Sequence, residues 1–434
     1  MKNLVEVVTP PSSGLQDLAD SYLSNLNLAL KVASEFGLAL YPLGTYPLPI
    51  NPVVRDDPGY SVQASTIGHD RFLSGGRCAG THLHIELPAS TVWPDVKAAL
   101  DAPSASREEL LGLYNLATAL DPALVALTRA CPFYEGRMDG FASRTVHYRG
   151  IFGFDGLYAN LQEVGALSDY ATRVEELVDQ ERARYEAWFA AMDLAGVERR
   201  HFALTGADLH RASWNPVRLT HHGTLEIRSI DSNLPEVILQ VCALICGAVE
   251  RVRSQRLKVM PSREVRTVEL EGDLLLVPDF TYLSGELLGA AASLGVEDPR
   301  IESYVDSLVR FASAYGEWWK GIPPLGSSGS YRTTESWLLE SYLPVGVSVT
   351  RYEGLSLVRE ACHRLKEQVQ SLHCKSAETP LEVSRDQGVA NIAYIRDTLT
   401  DSAVEEHATD DVDGRQALSR GANEGPRPRR GGEL

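Results

Sequence analysis

The sequence has few cysteines, no long apolar run and too little positive charge to balance its acidic residues. Its six cysteines are scattered over 434 residues, which is not the spacing of a disulfide framework. No stretch approaches the roughly 18 apolar residues of a membrane span. The N-terminus, Met1–Thr9, is too polar and too short for a signal peptide. We therefore expect a cytoplasmic protein of a reducing compartment, with no membrane partner.

Positive charge is scarce as well, since 41 Lys and Arg residues stand against 58 Asp and Glu residues, a net charge of −17. Such a surface repels nucleic acid, so we expect no nucleic-acid partner. The sequence also has no P-loop and no dinucleotide-binding fingerprint. Any phosphate site must therefore be a local cluster of arginines and backbone N–H groups inside a cleft.

The composition that remains is that of a globular protein, with 44% apolar and 23% charged residues. Composition changes near Lys375, beyond which aromatic residues almost vanish. We predict one catalytic domain over residues 1–374. Residues 375–434 are predicted to form an acidic and polar, largely disordered tail with one short helix near 390–400.

The strand-like segment Thr81–Leu87 has polar side chains on one face and apolar side chains on the other. Because side chains alternate along a strand, its leucines and isoleucine share one face, and His82, His84 and Glu86 share the other. Imidazoles and carboxylates hold divalent metals. A half-exposed strand meeting water would show the same alternation, but the glycine-containing Gly76–Gly80 segment before it favours a ligand site.

A second segment, Thr224–Ile230, repeats the design, with Glu226 and Arg228 opposite its apolar residues. The pair is either a surface ion pair worth less than ~1 kcal/mol or a metal ligand beside a phosphate ligand. Two such strands predict an antiparallel α+β enzyme with helices packed on the apolar face of its sheet. Further strands are predicted at Leu4–Val8 and Leu38–Leu43, and helices at Leu15–Phe36, 94–130, Pro235–Arg253, 283–294 and 298–316.

Five segments, in order along residues 4 to 250, resemble motifs of the bacterial carboxylate–amine ligases of the glutamate–cysteine ligase type. The family's motifs are E-x-x-T-P with G-T-H-P, C-G-x-H-x-H, S-P-F-W-x-G-x-D-x-G-x-x-S-x-R, W-D-x-R and G-T-x-E-x-R-x-x-D. The similar segments here are Glu6–Pro10 with Gly44–Pro47, Cys78–His84, Cys131–Arg144, Trp214–Arg218 and Gly223–Asp231.

The resemblance implies the catalytic fold of glutamine synthetase, a curved antiparallel sheet with helices packed on one face. It also implies an ATP-dependent enzyme that forms a γ-glutamyl-type amide through an acyl phosphate, with Mg²⁺ as cofactor and Mn²⁺ also possible. The implied substrates are glutamate and an amine such as that of cysteine, and a homo-oligomer is possible. The matching motifs imply the roles of individual residues. Glu6, His82 and Glu226 would be metal ligands, and Glu226 and Arg228 would be catalytic. Arg144, Arg218 and Arg228 would contact the nucleotide phosphates or the substrate carboxylate.

The sequence departs from the family at several points. Met1 stands after the family's first strand, G-x-E-x-E, so either the start was assigned too late or part of the metal shell is missing. Asn215 replaces the Asp of W-D-x-R, Tyr46 replaces the His of G-T-H-P, and Ser327–Trp337 stands in place of N-R-W-x-A. These differences leave open a non-catalytic or regulatory relative that binds ATP or an amino acid. A phosphotransferase using the same site is a third interpretation.

Overall fold

The computed structural model describes residues 1–91, 96–204, 212–313, 324–326, 331–342 and 348–377. Helices predominate, and the strands form three small sheets. A π-helical turn (Tyr282–Leu287) and a 3₁₀ turn (Gly295–Glu297) flank the eleventh helix. The helices are α1 Leu15–Glu35, α2 Pro58–Ile67, α3 His69–Arg77, α4 Val96–Asp101, α5 Ser104–Leu127, α6 Ser143–Arg149, α7 Gln162–Gly165, α8 Val174–Leu194, α9 Arg199–Leu204, α10 Pro235–Gln255, α11 Leu288–Ser293, α12 Pro299–Ser313, α13 Thr334–Ser341 and α14 Arg351–Ala377. The strands are β1 Gly80–Glu86, β2 Phe133–Tyr134, β3 Arg137–Met138, β4 Val217–Leu219, β5 Thr224–Asp231, β6 Lys258–Ser262, β7 Glu269–Glu271 and β8 Leu274–Pro278.

The sheet that carries the predicted site is antiparallel, in the order β1-β5-β4. Glu226 of the central strand lies opposite His84 of β1 and opposite Arg218 of β4. The register of β1 shifts between Thr81 and Leu83. Because directly opposed side chains on one face are close neighbours, this register brings the polar residues of three strands together around Glu226.

The apolar side of this sheet packs into the main hydrophobic core. Leu225 and Ile227 of β5 are fully buried, together with Ile85 of β1. Helix α5 packs against this sheet and against α10, and buried residues of both helices belong to the same core. The expected division into a mixed α and β fold, with a core face and a polar face on β1 and β5, is confirmed.

Helix α5 is more apolar than the sequence reasoning allowed. It is long and apolar enough to cross a membrane by length and composition, and it is the one such helix among the described residues. However, 94% of the 18-residue apolar stretch in this helix is buried inside the protein. A helix that is apolar on every side belongs in a core, and α5 contacts β5, α8, α10 and α11.

The remaining strands form two further sheets. In one, β8 pairs in parallel with β6 and antiparallel with β7. In the other, β2 and β3 form a two-residue hairpin through Glu135 and Gly136, both at positive φ. This hairpin lies beside the Gly44–Pro47 turn, since the Gly136 N–H donates to the Pro47 carbonyl.

Two predicted strands are wrong. Residues Leu4–Val8 and Leu38–Leu43 have no strand structure, and the second region joins the rest through an isolated bridge between Thr45 and Cys78. Neither segment has a neighbouring strand to pair with, and apolar alternation alone does not make a strand. The helices predicted at Leu15–Phe36 and Pro235–Arg253 are confirmed within two residues. The helix predicted at 94–130 is divided into α4 and α5, and the one at 283–294 into the π-helical turn and α11. The helix predicted at 298–316 is present as α12, and its last three residues lie outside the described part of the chain.

The predicted tail lies mostly outside the described residues. Helix α14 runs through the expected boundary at 374 and ends at Ala377. The short helix predicted near 390–400 falls beyond the described part of the chain, as do Ser327–Ser330 of the segment that replaces the N-R-W-x-A motif.

Candidate active site

Glu226 is the centre of a charged cluster on the polar face of the sheet. Its Oε1 atom accepts from Nη1 of Arg228 at 2.8 Å and lies 3.0 Å from Nδ1 of His82. Its Oε2 atom accepts from Nε of Arg218. Nε2 of His84 lies 3.8 Å from Oε1. Four of the predicted polar residues on three strands therefore surround one carboxylate, whose side chain is only 3% exposed.

Electrostatics hold the Glu226 carboxylate in its ionised form. Burial alone would raise the pKa of Glu226, but the hydrogen bond from His82 and the charges of Arg228 and Arg218 outweigh burial and lower it. Burial likewise opposes the charge of Arg228, whereas Tyr148 and Glu226 raise its pKa above the ordinary value. The cluster is therefore a charged carboxylate between two guanidinium groups at neutral pH.

His82 belongs to this cluster as a neutral imidazole. Burial, aided by the positive charge of Arg228, lowers the pKa of His82 to about 4. Burial also lowers the pKa of His84, whose Nδ1 lies 2.8 Å from the Thr224 hydroxyl. We assign the His82 Nδ1 proton to the contact with Glu226, which leaves Nε2 with its lone pair. A neutral imidazole in this tautomer can bind a ligand through Nε2.

Arg144 joins the cluster from helix α6. Its Nη2 donates to the Arg228 carbonyl at 3.1 Å, and its Nη1 lies 3.5 Å from Oδ1 of Asp231. Two glycines make room for this pair, because a Cβ on Gly80 would lie 2.0 Å from Nη2 of Arg144, and one on Gly44 would lie 2.9 Å from Oδ2 of Asp231. The two glycines of the resembling motifs thus serve the packing of a buried ion pair.

Aromatic residues support Arg228 through the terminal nitrogen that does not contact Glu226, and they were not predicted from the sequence. Nη2 of Arg228 donates to the Tyr148 hydroxyl at 3.1 Å. Tyr148 packs edge-on against Tyr158, which stacks on Trp214 at 5.5 Å. Tyr148 lies four residues after Arg144 on α6, so helical spacing from a predicted site residue is the signal that could have found it.

A second buried network lies under the sheet and was also missed. Asp121 of α5 accepts from Nη2 and Nη1 of Arg149 at 2.7 and 2.9 Å, and it accepts the Ser229 hydroxyl of β5. Its carboxylate is fully buried. This bidentate pair fixes α6 against α5 and β5 and so positions Arg144 and Tyr148 on α6.

Glu6 is the one predicted site residue that no described contact joins to the cluster. It is exposed, in a segment without regular structure. That segment is fixed elsewhere, because Asn25 donates to the Val8 carbonyl at 2.7 Å and Lys2 donates to the Val53 carbonyl at 2.8 Å.

The donor set around Glu226 decides how well a metal would fit. Among the residues that the structure describes, no group of three His, Cys, Asp or Glu side chains is arranged to hold a metal ion. Glu226 and His82 offer one carboxylate and one imidazole, whereas Mg²⁺ commonly uses one or two carboxylates together with substrate phosphate oxygens. The two residues therefore fit as part of a shell that nucleotide phosphates and water would complete.

The profile of glutamate–cysteine ligase family 2 matches residues 1–283 of the chain. The chain belongs to this family. No curated protein matches the chain. Family membership confirms the resemblance found in the motifs and implies an ATP-dependent ligase of the glutamate–cysteine type. The matched residues include all of β1, β4, β5 and α6.

Asn215 departs from the family's W-D-x-R motif for a visible structural reason. Its Nδ2 donates to the carbonyls of Glu163 and Ala166 at 2.9 and 2.7 Å, and its Oδ1 accepts from the Ser213 hydroxyl at 2.8 Å. An aspartate at this fully buried position could not donate to either carbonyl. Asn215 is therefore a structural anchor for the Trp214–Arg218 segment.

Tyr46, the second departure from the family motifs, is half-buried and packs edge-on against Tyr41 at 5.3 Å. The preceding Thr45 donates its hydroxyl to the Phe133 carbonyl at 2.8 Å. The Gly44 carbonyl accepts from Ala79 just before β1. The turn predicted at Gly44–Pro47 therefore lies beside the start of β1, although the histidine of its motif is replaced.

Proposed function

We propose that the chain is a carboxylate–amine ligase that joins the γ-carboxylate of glutamate to an amine through an acyl phosphate. The observation that carries the proposal is the Glu226 cluster, in which two arginines and an imidazole surround one carboxylate on the polar face of an antiparallel sheet. A scaffold has no physical need to bury this charge. The curved, glutamine synthetase-like form of the sheet and a ligase domain over residues 1–374 are part of the proposal.

The reaction has two balanced steps. A carboxylate oxygen of glutamate attacks the γ-phosphorus of ATP, and the bond to ADP breaks. The amine then attacks the acyl carbon, phosphate leaves, and the amine gives up a proton. Negative charge on the transferring phosphoryl group is the main obstacle, so preorganised arginines supply much of the catalysis.

Arg228 is assigned to the phosphoryl group and the acyl phosphate. Its contacts with Glu226 and Tyr148 hold the planar guanidinium in one orientation before the substrate arrives. Arg218 and Arg144 are assigned to the nucleotide phosphates or the glutamate carboxylates. Glu226 orients Arg218 and Arg228 through its two oxygens.

Mg²⁺, with Mn²⁺ as a possible substitute, would be held by Glu226 and His82 together with ATP oxygens. When bound, the ion would neutralise charge on the phosphates. Glu6 stays a predicted third ligand, although no described contact joins it to the cluster. The amine is proposed to be that of cysteine, as the family name suggests.

The experiment that tests the proposal is ADP release from ATP and Mg²⁺, with glutamate alone and with glutamate plus cysteine. We expect release to need both substrates and to fall at least ~100-fold in Glu226→Gln, the scale of losing one preorganised electrostatic contact. Glu86→Gln is the matched control, because Glu86 lies on the same face of the sheet but is exposed and opposite Thr224. It should leave release unchanged.

A non-catalytic relative that binds ATP or an amino acid is the second candidate. The observation that favours it is the occupancy of Glu226, because three donors already take up three of the roughly four acceptor positions of its carboxylate and leave one for a metal. In that case the folded protein would bind ATP, by calorimetry, but release no ADP with any amino acid.

A further inference from the structure

A small cavity lies beside the Glu226 cluster, between α6, the Trp214–Pro216 segment and Arg228 of β5. Arg144, Thr145 and Tyr148 of α6 line it, together with Trp214 and Arg228. Its enclosed part has room for about one water-sized group. It is therefore too small for a nucleotide or an amino acid.

Three of the lining residues carry a buried polar atom with no hydrogen-bond partner among the described residues. They are Nε of Arg144, Nε of Arg228 and Oγ1 of Thr145. The three side chains are nearly buried, at 6% exposed for Arg144 and 10% for Arg228, with Thr145 at 1%. A guanidinium Nε can only donate, and a buried donor left unpaired costs about 1–3 kcal/mol.

The charges around the cavity do not balance. Arg149 is neutralised by its bidentate pair with Asp121. Glu226, however, serves both Arg218 and Arg228 with a single negative charge. Two guanidinium groups thus share one carboxylate directly beside the cavity.

Arg144 adds to this excess of positive charge. Its partner Asp231 is 3.5 Å away, beyond the range of a strong charge-assisted hydrogen bond. Four arginines therefore meet three carboxylates in a protein whose overall net charge is −17. Local excess of this kind attracts a small anion even when the whole surface is acidic.

We propose that this cavity binds one monatomic anion, chloride in the cell, held by Nε of Arg144, Nε of Arg228 and the hydroxyl of Thr145. A water molecule could accept from both Nε groups and donate to the Thr145 hydroxyl, but it carries no charge, whereas a halide accepts from all three groups and also balances the excess positive charge. The bound anion would fix Arg144 and Arg228 beside Glu226. The proposal concerns binding and does not depend on the ligase reaction.

The test is thermal unfolding of the full chain at constant ionic strength, with sodium gluconate replaced stepwise by sodium chloride or bromide. We expect a saturable rise of Tm, on the order of 5 °C at one hundred times Kd. The rise should be lost in Thr145→Val and retained in Thr145→Ser, which keeps the hydroxyl.

A matched control separates this site from other effects of halide. Thr118 of α5 also has a buried hydroxyl without a partner among the described residues, but it does not line the cavity. Thr118→Val should therefore respond to halide as the wild type does. In gluconate, Thr145→Val should fold with a Tm no lower than wild type, because its hydroxyl has no partner to lose.

Three outcomes overturn the proposal. A Tm independent of chloride and bromide would mean that the cavity holds water only. A halide response that survives in Thr145→Val would place the anion elsewhere. A response to inorganic phosphate but not to halide would assign the cavity to one oxygen of a larger anion. Bromide-soaked crystals provide a second readout, with an anomalous peak expected between Arg144 and Arg228.

Discussion

Gly80 and Arg144 are in direct steric contact, since a Cβ on Gly80 would lie 2.0 Å from Nη2 of Arg144. The clash would fall on a guanidinium that is buried and held by the Arg228 carbonyl and by Asp231. The packing of Arg144, rather than a turn, therefore requires the glycine at the start of β1.

Gly80→Ala should displace Arg144 and lower the rate of ADP release at least ~10-fold while the protein stays folded. The measurement is steady-state turnover, with circular dichroism to follow folding. Gly285→Ala is the control, because a Cβ at Gly285 meets no atom within 4 Å. Full activity in Gly80→Ala would show that Arg144 is not needed in its present position.

Arg228→Lys should lower turnover about 100-fold, although the charge is kept. Arg228 contacts Glu226 and Tyr148 with two different nitrogens, at 2.8 and 3.1 Å, and a single ammonium group cannot keep both contacts in the same directions. The check is kcat against KM for ATP, with Arg266→Lys, whose guanidinium stacks on Tyr282, as control. An equal loss of turnover in both variants would contradict a special role for the two-nitrogen contacts of the Arg228 guanidinium.

Asn215→Asp, which restores the family's aspartate, should destabilise the protein by about 3 kcal/mol. A buried carboxylate would face the carbonyls of Glu163 and Ala166, which now accept from the Asn215 amide. The free energy of unfolding in urea measures the effect. Asn51→Asp, at an exposed position, should change it by less than ~0.5 kcal/mol.

Asp231 should make stability depend on pH. Burial raises the pKa of its carboxyl to about 6, above the unfolded value of about 3.9. The folded protein therefore binds this proton more tightly than the unfolded chain. The resulting stabilisation is complete below the unfolded pKa and is lost as pH rises through about 6.

The measurement is the free energy of unfolding of the wild type minus that of Asp231→Asn, followed from pH 4 to pH 7. This difference should fall by up to about 3 kcal/mol with rising pH. Asp101→Asn, at an exposed position, should give a difference with no comparable slope. A difference that rises with pH would mean that Arg144 stabilises the Asp231 carboxylate more than burial opposes it.

The strands that carry the site were predictable from sequence because each pairs with a neighbour of the same polar and apolar alternation. Glu226 and His82 are therefore in contact on the polar face of the sheet, as the alternation along their two strands predicts. Glu6 was placed on a strand by the same reasoning, but its segment has no strand to pair with in the described structure. Alternation is local, whereas a strand also needs a partner that a single segment cannot reveal.

The supporting residues could not be predicted for a different reason. Asp121 lies in an alanine- and leucine-rich helix, where a single charge only interrupts the apolar pattern. In the structure it contacts Arg149 and Ser229, which come from distant parts of the chain. Tyr148 stands outside the motif residues of its segment, and its spacing of four from Arg144 gives its helical face but not its contact with Arg228 on β5. Such contacts depend on packing between elements, which spacing along one element does not encode.

The burial of α5 has a consequence for the synthesis of the protein on the ribosome. The helix ends at Leu127, whereas β5, which covers it, begins at Thr224, almost a hundred residues later. At ordinary rates of translation the nascent chain carries this apolar segment for roughly 5–20 s before its covering strand leaves the ribosome. During this interval α5 is an apolar segment without its covering strand, so we expect chaperones to bind it during synthesis.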